Sequence, residues 1–158
     1  MEPIKEVVLE KVYDASPETV WQAWTNPEQL KQWWGPQNVT IPECEVDLKV
    51  GGKFYIVMEA GEAMGPYKGT KWPMEAEYTE IVPSSKLSYK ALAWTEGMKE
   101  DTTIDQTTDV TFEEQDGKTK VTVKAAIYKT GPKAGMTAEG MKQGFTQQLD
   151  KLTDFLSK

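Results

Sequence analysis

The chain has 158 residues, 39% of them hydrophobic and 27% charged, with a net charge of −7 and no arginine among its basic residues. That is enough for one sizeable core, too evenly mixed for disorder, and the wrong sign for gripping nucleic-acid phosphates or an anionic membrane. A single cysteine, Cys44, and no histidine exclude an internal disulfide, the usual zinc and copper ligand sets and a histidine-based nucleophilic triad.

The first residues carry Glu2 and Glu6 and no apolar run, and no window approaches the roughly 18 apolar residues of a membrane span. No signal peptide or membrane partner is expected, and the expected compartment is the cytoplasm.

Ile4 to Tyr13 is rich in β-branched residues and alternates in part, as a strand does. Ser16-Pro17 then opens a short helix holding Val20, Trp21 and Trp24, and Asn26-Pro27 opens a second holding Leu30, Trp33 and Trp34. Gly35-Pro36 ends it. From Val39 to Tyr128 the period changes to two. Pro42 marks the first of these strands as an edge strand or a bulged one. Gly51-Gly52 and Asp116-Gly117 are tight hairpin signals. Between them run strands around Phe54–Met58, Trp72–Tyr78, Leu87–Ala93 and Ile104–Phe112, followed by one around Val121–Ile127. Ala60 to Thr70, with three glycines and Pro66, reads as a mobile loop, and Thr95 to Thr102 as a polar one.

Gly135 to Lys158 has helical periodicity, with Met141, Phe145, Leu149, Leu152, Phe155 and Leu156 on one face. Three residues interrupt the pattern: Gly140 and Gly144, each of which costs a helix interior roughly 1 kcal/mol against alanine, and Gln148 in the middle of the apolar stripe. Two readings account for them. The helix is a lid over a concave sheet with space left beneath it, or it is closely packed, with the glycine admitting a strand and Gln148 bonding backbone. The order of elements is one strand, two short helices, six strands and a long helix: an α+β fold with an antiparallel sheet of six to seven strands, in one domain spanning residues 1–158.

The segments Val20-Trp21-Gln22-Ala23-Trp24-Thr25-Asn26-Pro27-Glu28-Gln29-Leu30, Trp33-Trp34-Gly35-Pro36, Cys44-Glu45-Val46-Asp47-Leu48 with Gly51-Gly52, Glu80-Ile81-Val82-Pro83, Val110-Thr111-Phe112-Glu113 and Gly140-Met141-Lys142-Gln143-Gly144-Phe145 together resemble the family related to activators of the 90 kDa heat-shock-protein ATPase. The resemblance runs nearly the whole chain. It implies the START-like, birch-pollen-allergen-like superfamily, with a helix-grip fold in which a curved antiparallel sheet wraps around the C-terminal helix. It also implies a stand-alone, stress-associated or ligand-binding role. Gln29 stands where relatives commonly have histidine. The additional chaperone-binding domain of the eukaryotic co-chaperones has no room here, so activation of the chaperone ATPase is not expected.

No metal site and no cofactor are expected, since Glu113-Glu114-Gln115-Asp116 lacks the spacing of a calcium loop. Cys44, with acids on both sides, is expected to act as a small hydrophobe rather than a thiolate. Glu80, Tyr78 and Tyr89 are the acid–base candidates if a cavity desolvates them, but no catalytic residue is assigned. The expected cavity wall is Trp34, Phe54, Ile56, Met58, Trp72, Met74, Tyr89, Val110, Val123, Met141, Gly144 and Phe145. Gln106, Thr108 and Gln148 supply its polar contacts, and Met64 guards access. Trp34, beside a turn, is placed at the mouth, while Trp21, Trp24 and Trp33 are assigned to core packing. The expected partner is a small hydrophobic molecule. The alternatives are a protein-interaction module, working as a chaperone regulator or a homodimer, and an enzyme of the cyclase or hydrolase kind.

Overall fold

A computed structural model of the protein describes residues 2–134 and 140–157. The elements follow in the order β1 (Lys5–Tyr13), α1 (Pro17–Thr25), α2 (Pro27–Trp33), β2 (Val39–Val46), β3 (Lys53–Ala60), β4 (Lys71–Val82), β5 (Lys86–Ala93), α3 (Lys99–Thr102), β6 (Ile104–Gln115), β7 (Lys118–Thr130) and α4 (Met141–Leu156). The start of the long helix expected from Gly135 falls partly on residues 135–139, outside the described residues.

The caps are set by local chemistry. Ser16 accepts from the Thr19 N–H at 3.3 Å, and Asn26 Oδ1 accepts from Glu28 at 2.9 Å and Gln29 at 3.2 Å, each ahead of a proline at the first helical position. Gly35 adopts φ +85°, and a Cβ there would meet Val39 Cγ2 at 2.8 Å and Met58 Sδ at 2.9 Å, so only glycine turns the chain at this point.

All seven strands join one antiparallel sheet in the order β1-β7-β6-β5-β4-β3-β2. β2 is an edge strand, and the register shift between Thr40 and Glu43 brackets Pro42, which has no N–H to give a ladder. Further shifts occur at Tyr78/Glu80 and Asp105/Gln106. Bulges of this kind bend strands and raise their twist, which gives the sheet its concave face. Asp116-Gly117 forms a two-residue turn with both φ positive, at 53° and 82°.

Gly51-Gly52 does not form the tight hairpin expected of it. The β2–β3 connection runs from Asp47 to Gly52, and the two glycines bond the Tyr78 backbone at 2.8 and 3.0 Å. The stretches read as loops contain short helical turns: a 3₁₀ segment over Glu62–Tyr67, broken at Gly65, and α3.

α4 lies along the concave face against β1 and α2, the helix-grip arrangement. Its C-terminal half closes the core with Leu149 and Leu152, and the Tyr13 hydroxyl donates to the Leu149 carbonyl at 3.0 Å. An ion pair between Lys11 and Asp150 ties its outer side to β1. Beneath this half the interior is filled by rings. Trp24 packs edge-on against Trp33, Trp34 and Phe112, with centroids 4.8 to 6.4 Å apart, and the Trp33 indole donates to the Ala23 carbonyl at 2.9 Å. No helix among the described residues is long and apolar enough to cross a membrane.

Candidate functional site

The N-terminal half of α4 covers the sheet differently. Gly144 presents no side chain, and beyond its own helix backbone a Cβ built on it meets no heavy atom of the described residues within 4 Å. Between this half-helix and the strands lies a cavity of about 330 Å³, within the size range of small-molecule pockets.

Strand pairing explains its floor. Ile56 pairs with Met74 and Met74 with Ala93, and Met58 pairs with Trp72, so the inward side chains of β3, β4 and β5 stand in adjacent rows. Tyr89 faces Thr108, and Ala91 faces Gln106, across β5 and β6. From these rows Ile56, Met58, Trp72, Met74, Tyr89, Gln106 and Thr108 reach the cavity, and α4 adds Met141, Gly144, Phe145 and Gln148. Trp34 and Met64 also line it.

Phe54, Val110 and Val123 do not line it. They point to the same side of the sheet but sit further along their strands, where the rings fill the space. Phe54 is only 1% exposed and packs against Trp34, Tyr78 and Tyr89, while Val110 and Val123 pair with each other in the core.

The turn carrying Trp34 is strapped to α4. Gly35 N–H donates to Gln148 Oε1 at 3.1 Å and Gln37 N–H to Gln147 Oε1 at 3.0 Å. Lys151 Nζ donates to the carbonyls of Trp34 at 3.0 Å and Pro36 at 3.4 Å, and its burial lowers its pKa. Trp34 is therefore held as wall and is only 5% exposed, not the solvent-facing indole of a pocket mouth. Of the two readings of the α4 interruptions, Gln148 does bond backbone, while Gly144 admits no strand.

Sequence reasoning missed part of the wall. Pro36, Val39, Ala93, Trp94, Thr95, Thr102, Ile104 and Gly140 also line the cavity. Thr95 and Thr102 were hidden in a stretch that reads as polar loop. They are brought together because the Thr95 N–H donates to Thr102 Oγ1 at 2.8 Å, while Lys99 Nζ sits 4.3 Å over the Trp94 ring. An aromatic directly ahead of a polar run was the available signal.

Polar chemistry at the cavity is sparse. No described residue lining it carries a charged side chain. Burial pushes the Tyr89 phenol well above its ordinary range. The Thr108 hydroxyl beside it opposes this, and Thr108 Oγ1 has no hydrogen-bond partner among the described residues. Tyr78, in the core behind, is pushed up by burial and then by Tyr89 and Cys44. Glu80, one of the acid–base candidates, lies outside the cavity, half exposed and paired with Lys86 at 2.9 Å. Burial likewise pushes the Cys44 thiol up to about 11, Lys31 opposing and Glu28 and Glu45 adding, as expected of a small hydrophobe. Among the described residues no group of three His, Cys, Asp or Glu is placed to hold a metal ion.

The chain matches the family described as Activator of Hsp90 ATPase homolog 1-like protein over residues 14–157. No curated protein is matched. Among solved structures the chain is similar to a Nitrosomonas europaea protein at 24% identity, covering 96% of this chain and 94% of that one with a TM-score of 0.75. A Chromobacterium violaceum protein is similar at 21% identity, 97% coverage of both and a TM-score of 0.77. For an Arthrobacter aurescens protein the values are 23%, 96% and 86%, and 0.77. At these identities the likeness shows a shared fold.

Proposed function

The chain belongs to the Activator of Hsp90 ATPase homolog 1-like protein family, and from that premise we propose that it is a one-domain receptor, spanning residues 1–158, for a small apolar or aromatic molecule held beneath α4. Family and fold support a ligand-binding or regulator-type domain. The observation that favours ligand binding is the 330 Å³ space under Gly144, walled by Trp34, Trp72, Met58, Met74, Met141 and Phe145. Binding energy comes from apolar area leaving water, at roughly 25 cal/mol per Å² before ordering costs. Methionine, unbranched and polarizable, lets the wall re-pack around a guest.

The test is the thermal midpoint against a panel of uncharged ring compounds. A guest at 100 times its Kd adds about 2.7 kcal/mol and raises the midpoint visibly. A panel that leaves the midpoint unmoved at saturating concentration removes the reading.

A second reading, self-association, is favoured by one observation. Ile4, directly ahead of edge strand β1, and Val8 and Val12 within it are exposed at 65%, 54% and 50%. Light scattering of the purified protein decides it, and a monomer at 100 μM or thereabouts counts against it.

A further inference from the structure

Polar groups in a cavity wall are costly unless something answers them. Gln148 is 4% exposed, and its amide orientation is determined: Oε1 takes the Gly35 N–H, so Nε2 is the free end, and it has no partner among the described residues. Gln106 turns Nε2 toward Met74 Sδ at 4.0 Å, a weak acceptor, and leaves Oε1 without a partner among the described residues. Among the described residues the wall thus offers an unanswered amide donor on α4 and an unanswered amide acceptor on β6, with the Thr108 hydroxyl, also without a partner, two residues along from the acceptor. It offers no counter-charge, since none of its described residues is charged. Lys151, one turn beyond Gln148, spends its ammonium on two carbonyls. The net charge of −7 further disfavours anions.

We infer that the guest is an uncharged ring compound carrying a hydrogen-bond acceptor for Gln148 Nε2 and a donor for Gln106 Oε1, and that carboxylates, fatty acids included, are rejected. The inference rests on the cavity-binding reading above and narrows it to a ligand class. An apolar guest without polar groups would fill the space and leave both amides unanswered. A carboxylate would lose its hydration with no cation to replace it.

Three probes on one ring skeleton separate these cases: naphthalene, 2-naphthamide and 2-naphthoate, titrated at pH 7.5 and followed by tryptophan emission and calorimetry. The amide is expected to bind about 10-fold tighter than the hydrocarbon, the net worth of one or two neutral hydrogen bonds. The naphthoate, nearly the same shape, is expected to bind at least about 100-fold more weakly than the amide. Gln106→Leu and Gln148→Met are each expected to bring the amide to within about threefold of naphthalene, with naphthalene titrated against the same variant as its reference. Naphthoate binding as tightly as the amide overturns the inference, and needs no variant to do so. An amide advantage that survives both substitutions with naphthalene binding retained overturns it equally. If naphthalene and the amide both fail to bind, the cavity-binding reading itself falls, and this inference with it.

Discussion

Gly144→Ala puts the geometry of the cavity to a direct stability test. Glycine inside a helix costs about 1 kcal/mol against alanine, because the unfolded chain has more freedom to lose. That gain is normally forfeited where the new methyl group strikes a neighbour. Here a Cβ meets no heavy atom of the described residues beyond its own helix backbone within 4 Å, so no clash with them offsets the gain. The variant is expected to be more stable by about 1 kcal/mol, which for a chain of this size raises Tm by about 2–4 °C. In urea the midpoint should rise by roughly 0.3–1 M with the slope unchanged. Gly144→Leu keeps the helical gain and projects its side chain into the space, so it should fold at least as well as the parent and bind guests poorly. Destabilisation of Gly144→Ala, seen as a lower midpoint at constant slope, would refute the reasoning. It would mean that the N-terminal half of α4 closes on the strands in solution and that the space is not there.

Gln148→Met leaves the Gly35 N–H without its acceptor in a buried seam and is expected to cost about 1–3 kcal/mol in urea unfolding, and Gln148→Glu, which keeps an oxygen there but buries a carboxylate, should cost at least as much at pH 7.5. Glu80→Ala removes an exposed pair with Lys86 and should change stability by no more than about 1 kcal/mol and leave binding of any cavity guest untouched; a loss of binding would return Glu80 to the site. The Cys44 thiol, held up to about 11 by burial, should react with iodoacetamide along a pH profile with its inflection near 11, and an inflection near 9.0 would place it in water. Between those values the folded chain keeps a proton that the unfolded chain has lost, so the contribution of Cys44 to stability is whole below pH 9 and declines as the pH rises toward 11.

Local chemistry made much of this protein legible from sequence. Ser16-Pro17 and Asn26-Pro27 start helices because their side chains satisfy free N–H groups within three residues, and Pro42 marks an edge bulge because it lacks a donor. Alternation along β3 to β7 assigned the inner face, since side chains on a strand change sides at every residue. The same alternation places Phe54 and Ile56 on one face without saying which of them meets a void. That depends on what stands opposite: the rings of Trp24, Trp33 and Trp34 at one end of the sheet, a bare Gly144 at the other. Volume is summed over elements distant in sequence, as is the strapping of Trp34 to α4 by Gln148 and Lys151. Sequence by itself determined the elements, their order and their inward faces, because those follow from neighbours a few residues apart. Only the tertiary structure decided where the interior is filled and where it is open, because packing is a property of groups that the chain brings together from more than a hundred residues away.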